Sequence, residues 1–187
     1  MRNNLYVALV HYPVYNRKHE EVCTSVTNFD IHDISRTCRT YGVREYHLII
    51  PADAQKVLTE RIISYWREGA GGNYNKNRGE AFGITRVTGS IEKLIHRITT
   101  ENGAAPVIVT TSARTFTGST SYEALAKAIR NDERPYLILF GTGWGLTDAV
   151  MDMADVILEP IRGKSEYNHL SVRAAAAIIL DRLLGEA

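Results

Sequence analysis

Six short apolar runs punctuate the chain, at 5–11, 46–50, 83–87, 107–111, 136–140 and 156–158. All are dense in aliphatic or β-branched residues and lack strict alternation, the pattern of strands covered on both faces. Between them, the spacing of apolar positions predicts helices over 30–41, 53–68, 90–101, 120–131, 145–152 and 168–185. In the last, Val172, Ala176, Ile179 and Leu183 share one stripe, which marks its buried face. Asp53, Ser90, and either Ser119 or Thr120 stand where N-caps belong, as do Asn168 or Ser171 for the final helix. The alternation of strand and helix predicts an α/β fold, a doubly wound and mostly parallel sheet of about six strands. Two stretches read as loop: 12–27, and the Gly-Ala-Gly-Gly-Asn-Tyr-Asn-Lys-Asn-Arg run at 69–78, whose composition suggests mobility.

Composition narrows the class. A length of 187 residues suits one domain over 1–187 with a substantial core and no appended binding module. No apolar run approaches the length of a membrane span. Cys23 and Cys38 are too few for a disulfide framework or a metal cage, so no metal is expected and a reduced cytoplasm is the natural compartment. A formal net charge of +1 argues against a dedicated polyanion binder, while leaving room for a local basic patch.

Chemistry concentrates in three segments. The run at 136–140 ends in Gly141-Thr142-Gly143-Trp144-Gly145-Leu146, and a strand that stops at glycines exposes main-chain groups to a small polar ligand. A dinucleotide fingerprint fits this loop poorly, because its sixth position is Leu146 and it comes late in the chain. A tight turn without a ligand and a small-molecule pocket of another type both remain open. The run at 156–158 leads through Glu159-Pro160-Ile161-Arg162-Gly163 to Tyr167-Asn168-His169-Leu170-Ser171, polar residues crowded ahead of an alanine-rich helix whose N-terminus favours an anionic group. The third segment, 27–43, brings His32, Ser35, Arg36 and Arg39 onto neighbouring helical faces, with Asn28 and Asp30 at its start and Gly42 as its stop. Alone, it reads as a solvated polar helix with an acidic start and a basic end.

Together the three segments resemble the ordered motifs of the SPOUT class of S-adenosyl-L-methionine-dependent RNA methyltransferases. Arg36-Thr37-Cys38-Arg39-Thr40-Tyr41-Gly42-Val43, with Asn28 upstream, is similar to the first motif of SpoU-type members. Leu137–Gly141 with its following glycines resembles the second, and Glu159–Gly163 with Tyr167–Ala175 the third. The last string is similar to a small bacterial family of RNA methyltransferases within the class.

The resemblance implies a C-terminal trefoil knot, a homodimer, and S-adenosyl-L-methionine (AdoMet) held mainly by main chain. Carried over by position, the cofactor residues are Thr110, Thr111, Ser112, Phe140, Gly141, Thr142, Gly143, Trp144, Gly145, Leu146, Ile161, Gly163, Asn168, His169 and Leu170. Arg36, Asn28 and His169 become the catalytic candidates, and Asn28 and Arg36 would face the partner's pocket and a tRNA or rRNA substrate. An arginine is nearly always protonated, so His169 and His32 are the easier bases at neutral pH. The glutamate usual in the second motif is missing from Thr142-Gly143-Trp144. Ribose 2′-O and base nitrogen therefore both stay open as targets, and a dimeric RNA-binding adaptor without catalysis is the alternative.

Overall fold

The computed structural model describes residues 4–186. The strands are β1 (Leu5–Val10), β2 (Val14–Tyr15), β3 (Glu21–Val22), β4 (Glu45–Ile49), β5 (Thr85–Thr88), β6 (Val107–Thr110), β7 (Tyr136–Gly141) and β8 (Val156–Ile157). The helices are α1 (Asn28–Thr40), α2 (Asp53–Arg67), α3 (Ala70–Tyr74), α4 (Lys76–Phe82), α5 (Ile91–Asn102), α6 (Tyr122–Asn131), α7 (Asp148–Met151) and α8 (Val172–Leu184).

Six strands form one sheet in the order β5-β4-β1-β7-β6-β8, and every pairing is parallel. All six expected strands are present. β1 shows why they lack alternation: every residue is buried, with Leu5, Val7 and Leu9 facing one core and Tyr6, Ala8 and Val10 the other. The first core receives α1, α2, α4, α6 and α8; the second receives α5 and α7. The sheet is thus covered on both faces, as a doubly wound fold requires. α8 packs against α1 and α6, and Ala176, Ile179, Leu180 and Leu183 supply its buried face, with Val172 half-buried beside them.

Local expectations fared unevenly. Ser90 caps α5 by accepting from the Lys93 amide, Ser171 caps α8 through the Ala174 amide, and Gly42 follows α1 at φ +67°. The N-cap of α2 is Ala52 rather than Asp53, which lies in the first turn and pairs with Lys56 at 3.0 Å. The α6 cap is Ser121 rather than Ser119 or Thr120. Thr120 is held in a bridge to Leu158, with its N–H donating to the Ile157 carbonyl at 2.8 Å, and the Ser119 hydroxyl donates to the Phe116 carbonyl.

The 69–78 run is not an irregular loop. It folds into α3 and the start of α4, where the Asn75 side chain accepts from the Arg78 amide. The 12–27 stretch contains the β2–β3 hairpin, whose turn is organised by Asn16 Oδ1 accepting from the Lys18 and Glu20 amides. Among the described residues, no helix is long and apolar enough to cross a membrane.

Candidate functional site

The C-terminal ends of β7, β6 and β8 lie side by side, so the loops that leave them meet at one edge of the sheet. A cleft of about 920 Å³ opens there. Thr111 and Ser112 line it after β6, Phe140 to Gly145 at the end of β7 and beyond it, and Ile161 with Asn168, His169 and Leu170 after β8. Three segments distant in sequence therefore build one wall, in which glycines and small hydroxyl residues stand beside Phe140, Trp144, Ile161 and Leu170.

Cross-links hold these loops together. The Asn168 side-chain amide donates to the Ala113 carbonyl at 3.0 Å, joining the loops after β8 and β6. Thr111 Oγ1 donates to the Leu139 carbonyl at 3.0 Å. The β2–β3 hairpin clamps the glycine loop: the Tyr15 amide donates to the Gly145 carbonyl, and the Trp144 amide to the Tyr15 carbonyl. Thr24 Oγ1 meets Thr142 Oγ1 at 2.5 Å and His11 Nδ1 at 3.1 Å. Burial pushes the fully enclosed His11 imidazole down to about 4, against a smaller opposing pull from Asp30, so it is neutral at pH 7.

Not every residue expected at the site reaches the wall. Thr110 is buried in β6 and Leu146 is buried beneath the glycine loop, bridged to Val14. Gly163 is exposed and lies outside the lining. Asn28 and Arg36 are exposed on α1 and do not line this chain's cleft; His32 packs edge-on against Trp66 and Phe82 instead.

Two carboxylates missing from the expected site do line it. Asp30 is buried at the start of α1, where its carboxylate accepts from Thr27 Oγ1 at 2.6 Å and stands 3.7 Å from Arg173 Nε. Glu159 follows β8, and its Oε1 accepts from the Tyr122 amide at 3.1 Å. Both belong to the motif segments, a signal that could have found them. Thr24 carried no such signal, because its place depends on the hairpin folding over the glycine loop.

A group the size of AdoMet fits such a cleft, since small-molecule sites fill roughly 300–1,000 Å³. The glycine loop could not keep its shape with side chains. A Cβ at Gly143, which sits at φ +59°, would meet the Tyr15 carbonyl oxygen at 2.9 Å, and Gly145 lies at φ +107°. Phe140, Ile161, Leu170 and Ile179 supply apolar lining, while Asp30, faced by Arg173, and Glu159 and Arg114 are its charged residues.

A family model described as SAM-dependent RNA methyltransferase matches residues 4–185. The chain is 44% identical over 184 residues to a tRNA (guanine-N(1)-)-methyltransferase of Oleidesulfovibrio alaskensis, covering 98% of this chain and 43% of that one. It thus spans less than half the length of that relative. An uncharacterized protein of Aquifex aeolicus is 40% identical over 183 residues, 98% of this chain and 89% of that one. Among solved structures, a SpoU methyltransferase from Streptomyces viridochromogenes in complex with AdoMet matches with a TM-score of 0.58 at 16% identity, covering 98% of this chain and 58% of that chain. At that identity the likeness is one of fold.

Proposed function

We propose that this chain, which belongs to the family of SAM-dependent RNA methyltransferases, methylates a nucleotide of tRNA or rRNA in the cytoplasm, with AdoMet in the cleft at the ends of β6, β7 and β8. The observation that carries the reading is the convergence of those three loops on one glycine-walled cleft. When bound, the cofactor supplies a methyl group carried on a positively charged sulfur. The chain's own task is to orient the ligand and its acceptor, because positioning contributes much of the rate of a methyl transfer.

In this reading the backbone of Phe140–Gly145, with Thr111, Ser112, Ile161, Asn168 and Leu170, holds the cofactor. His169, exposed at the cleft, takes the acceptor's proton where one must leave. Asn28 and Arg36 complete the site of a second copy in a homodimer, which accounts for their exposure on α1 outside their own cleft. Arg36 acts as a cation toward phosphate or developing negative charge. A knotted C-terminal third belongs to the same proposal.

The decisive experiment combines calorimetry with nucleoside mass spectrometry. Purified protein binds AdoMet at one site per chain, and the absence of any binding heat overturns the reading. Labelled methyl groups enter bulk tRNA or rRNA; binding without transfer to any RNA returns the adaptor reading instead. The name of the Oleidesulfovibrio relative points to a guanine ring nitrogen, and more than half of that chain lies outside the match. Fragmentation separates the two targets here: a methylated base ion marks the base, and an unmethylated base ion from a methylated nucleoside marks the ribose.

A further inference from the structure

We propose that His11 is a positioning residue for the cofactor, aligning the Thr24 and Thr142 hydroxyls so that both present lone pairs to the cleft. The role rests on the reading of this cleft as the AdoMet site. It fixes the kind of ligand group that the two hydroxyls recognise, an N–H or O–H donor.

The contacts admit one arrangement of protons. Thr142 Oγ1 lies 2.9 Å from the Val10 carbonyl, which can only accept, so the Thr142 proton points there. The 2.5 Å contact between the Thr24 and Thr142 hydroxyls must then be filled by the proton of Thr24. Sent instead to the His11 carbonyl at 3.4 Å or to the ring, that proton would leave two oxygens 2.5 Å apart with none between them. His11 Nδ1, 3.1 Å from Thr24 Oγ1, is therefore the donor of its pair. A neutral imidazole carries one N–H, and burial keeps this ring neutral at pH 7. His11 Nε2, which has no partner among the described residues, is thus the bare nitrogen.

One directed chain runs from His11 through Thr24 and Thr142 to the Val10 carbonyl. Backbone bonds hold its start: the His11 amide donates to the Ile49 carbonyl at 3.1 Å, and the His11 carbonyl accepts from the Thr24 amide at 2.8 Å. A hydroxyl oxygen has two lone pairs, and each threonine spends one on the donor before it in the chain. The other is uncommitted. Both residues are half-buried and line the cleft, so there they can only accept. Thr111 is spent in the same way, its proton held by the Leu139 carbonyl at 3.0 Å. His11 is fully enclosed and does not line the cleft, so it acts through the threonines. AdoMet carries suitable donors in its ammonium group, its ribose hydroxyls and its adenine amine.

Calorimetry with S-adenosylhomocysteine, which keeps those donors and is not consumed, tests the role. Thr24→Val breaks the chain and is expected to weaken binding about fivefold to tenfold, while Thr24→Ser, which restores the hydroxyl, returns it to near wild type. His11→Phe should reproduce the Thr24→Val loss, and the double variant should lose no more than either. Analogues separate alignment from support of the loop: one deaminated, one without ribose hydroxyls, one dimethylated at the adenine amine. The analogue that lacks the recognised donor binds wild type and Thr24→Val equally, and so identifies that donor. Equal weakening of every compound in Thr24→Val overturns the inference, by assigning Thr24 to loop structure alone. Wild-type affinity in Thr24→Val, or in folded His11→Phe, also overturns it. Thr24→Val changes one half-buried loop side chain for another of similar shape, so it tests the role even where His11→Phe does not fold. Wild-type protein that binds neither S-adenosylhomocysteine nor AdoMet overturns the cofactor reading as well.

Discussion

A methyl group on Gly141 would sit 2.8 Å from the backbone nitrogen of Leu146, so β7 turns into the cleft wall only because position 141 carries hydrogen. Leu146 is buried in the core and bridged to Val14, which leaves it no freedom to retreat. The glycine loop is thus closed by its own far end and clamped from outside by the hairpin at Tyr15.

Gly141→Ala is expected to cost about 1–3 kcal/mol of stability, the usual penalty for overfilling a packed site. AdoMet affinity should fall at least as steeply, because the displaced segment is the cleft wall. Urea denaturation and calorimetry on the same protein separate the two effects. Wild-type values in both would mean that the loop is not held as described.

Arg173 ties the last helix to the first. Its guanidinium donates to Asp33 Oδ2 at 3.0 Å, stands 3.7 Å from Asp30, and lies 5.1 Å over the Phe29 ring. Arg173 and Asp33 are partly exposed whereas Asp30 is buried, so Arg173→Met should lose about 1–3 kcal/mol, with the Asp33 share smaller at high salt. A loss that does not change between low and high salt would assign the contact to packing rather than charge.

Acid should destabilise the fold before its carboxylates titrate. Burial holds His11 at about 4 and His47 at about 3, in the second case reinforced by the Arg86 charge and opposed by Glu101. An unfolded histidine titrates near 6.5, so below that pH the unfolded chain binds protons that the native chain refuses. The stability that neutral His11 brings is complete above the unfolded value. It is lost as pH falls toward 4, on the order of 3 kcal/mol over the window. His11→Asn, which keeps a polar group toward Thr24, should flatten the slope between pH 6.5 and 4; an unchanged slope would place the proton uptake elsewhere.

Arg36→Ala should abolish methyl transfer while leaving AdoMet affinity near wild type, since Arg36 lies outside its own cleft. Mixing this variant with the Gly141→Ala protein should restore activity if each site draws Arg36 from the other subunit. Two inactive proteins that stay inactive after subunit exchange would remove the shared-site reading.

Much of the fold was legible because a strand covered on both faces is mostly apolar, and the central runs announce themselves that way; β5, Thr-Arg-Val-Thr at the sheet edge, does so least. Caps were read less well. Ser90 and Ser171 stand directly before helical periodicity, whereas the claim of Thr120 was cancelled by its bridge to Leu158. The glycine run at 69–72 misled for a related reason. Glycine marks both freedom and close approach, and only the rings of Tyr65 and Trp66 reveal which applies.

The sequence by itself determined the alternation of strands and helices, the glycine-ended strand at 141 and the order of the three motif segments. These follow from side-chain period and backbone permissiveness, which are local properties. Only the tertiary structure decided that Asp30 and Glu159 share the cleft with the glycine loop, that a hairpin clamps it through Thr24 and Tyr15, and that Asn28 lies beside Trp66 rather than in its own chain's cleft. Those neighbours are set by strand order, because placing β7 between β1 and β6 brings together residues more than a hundred positions apart in sequence.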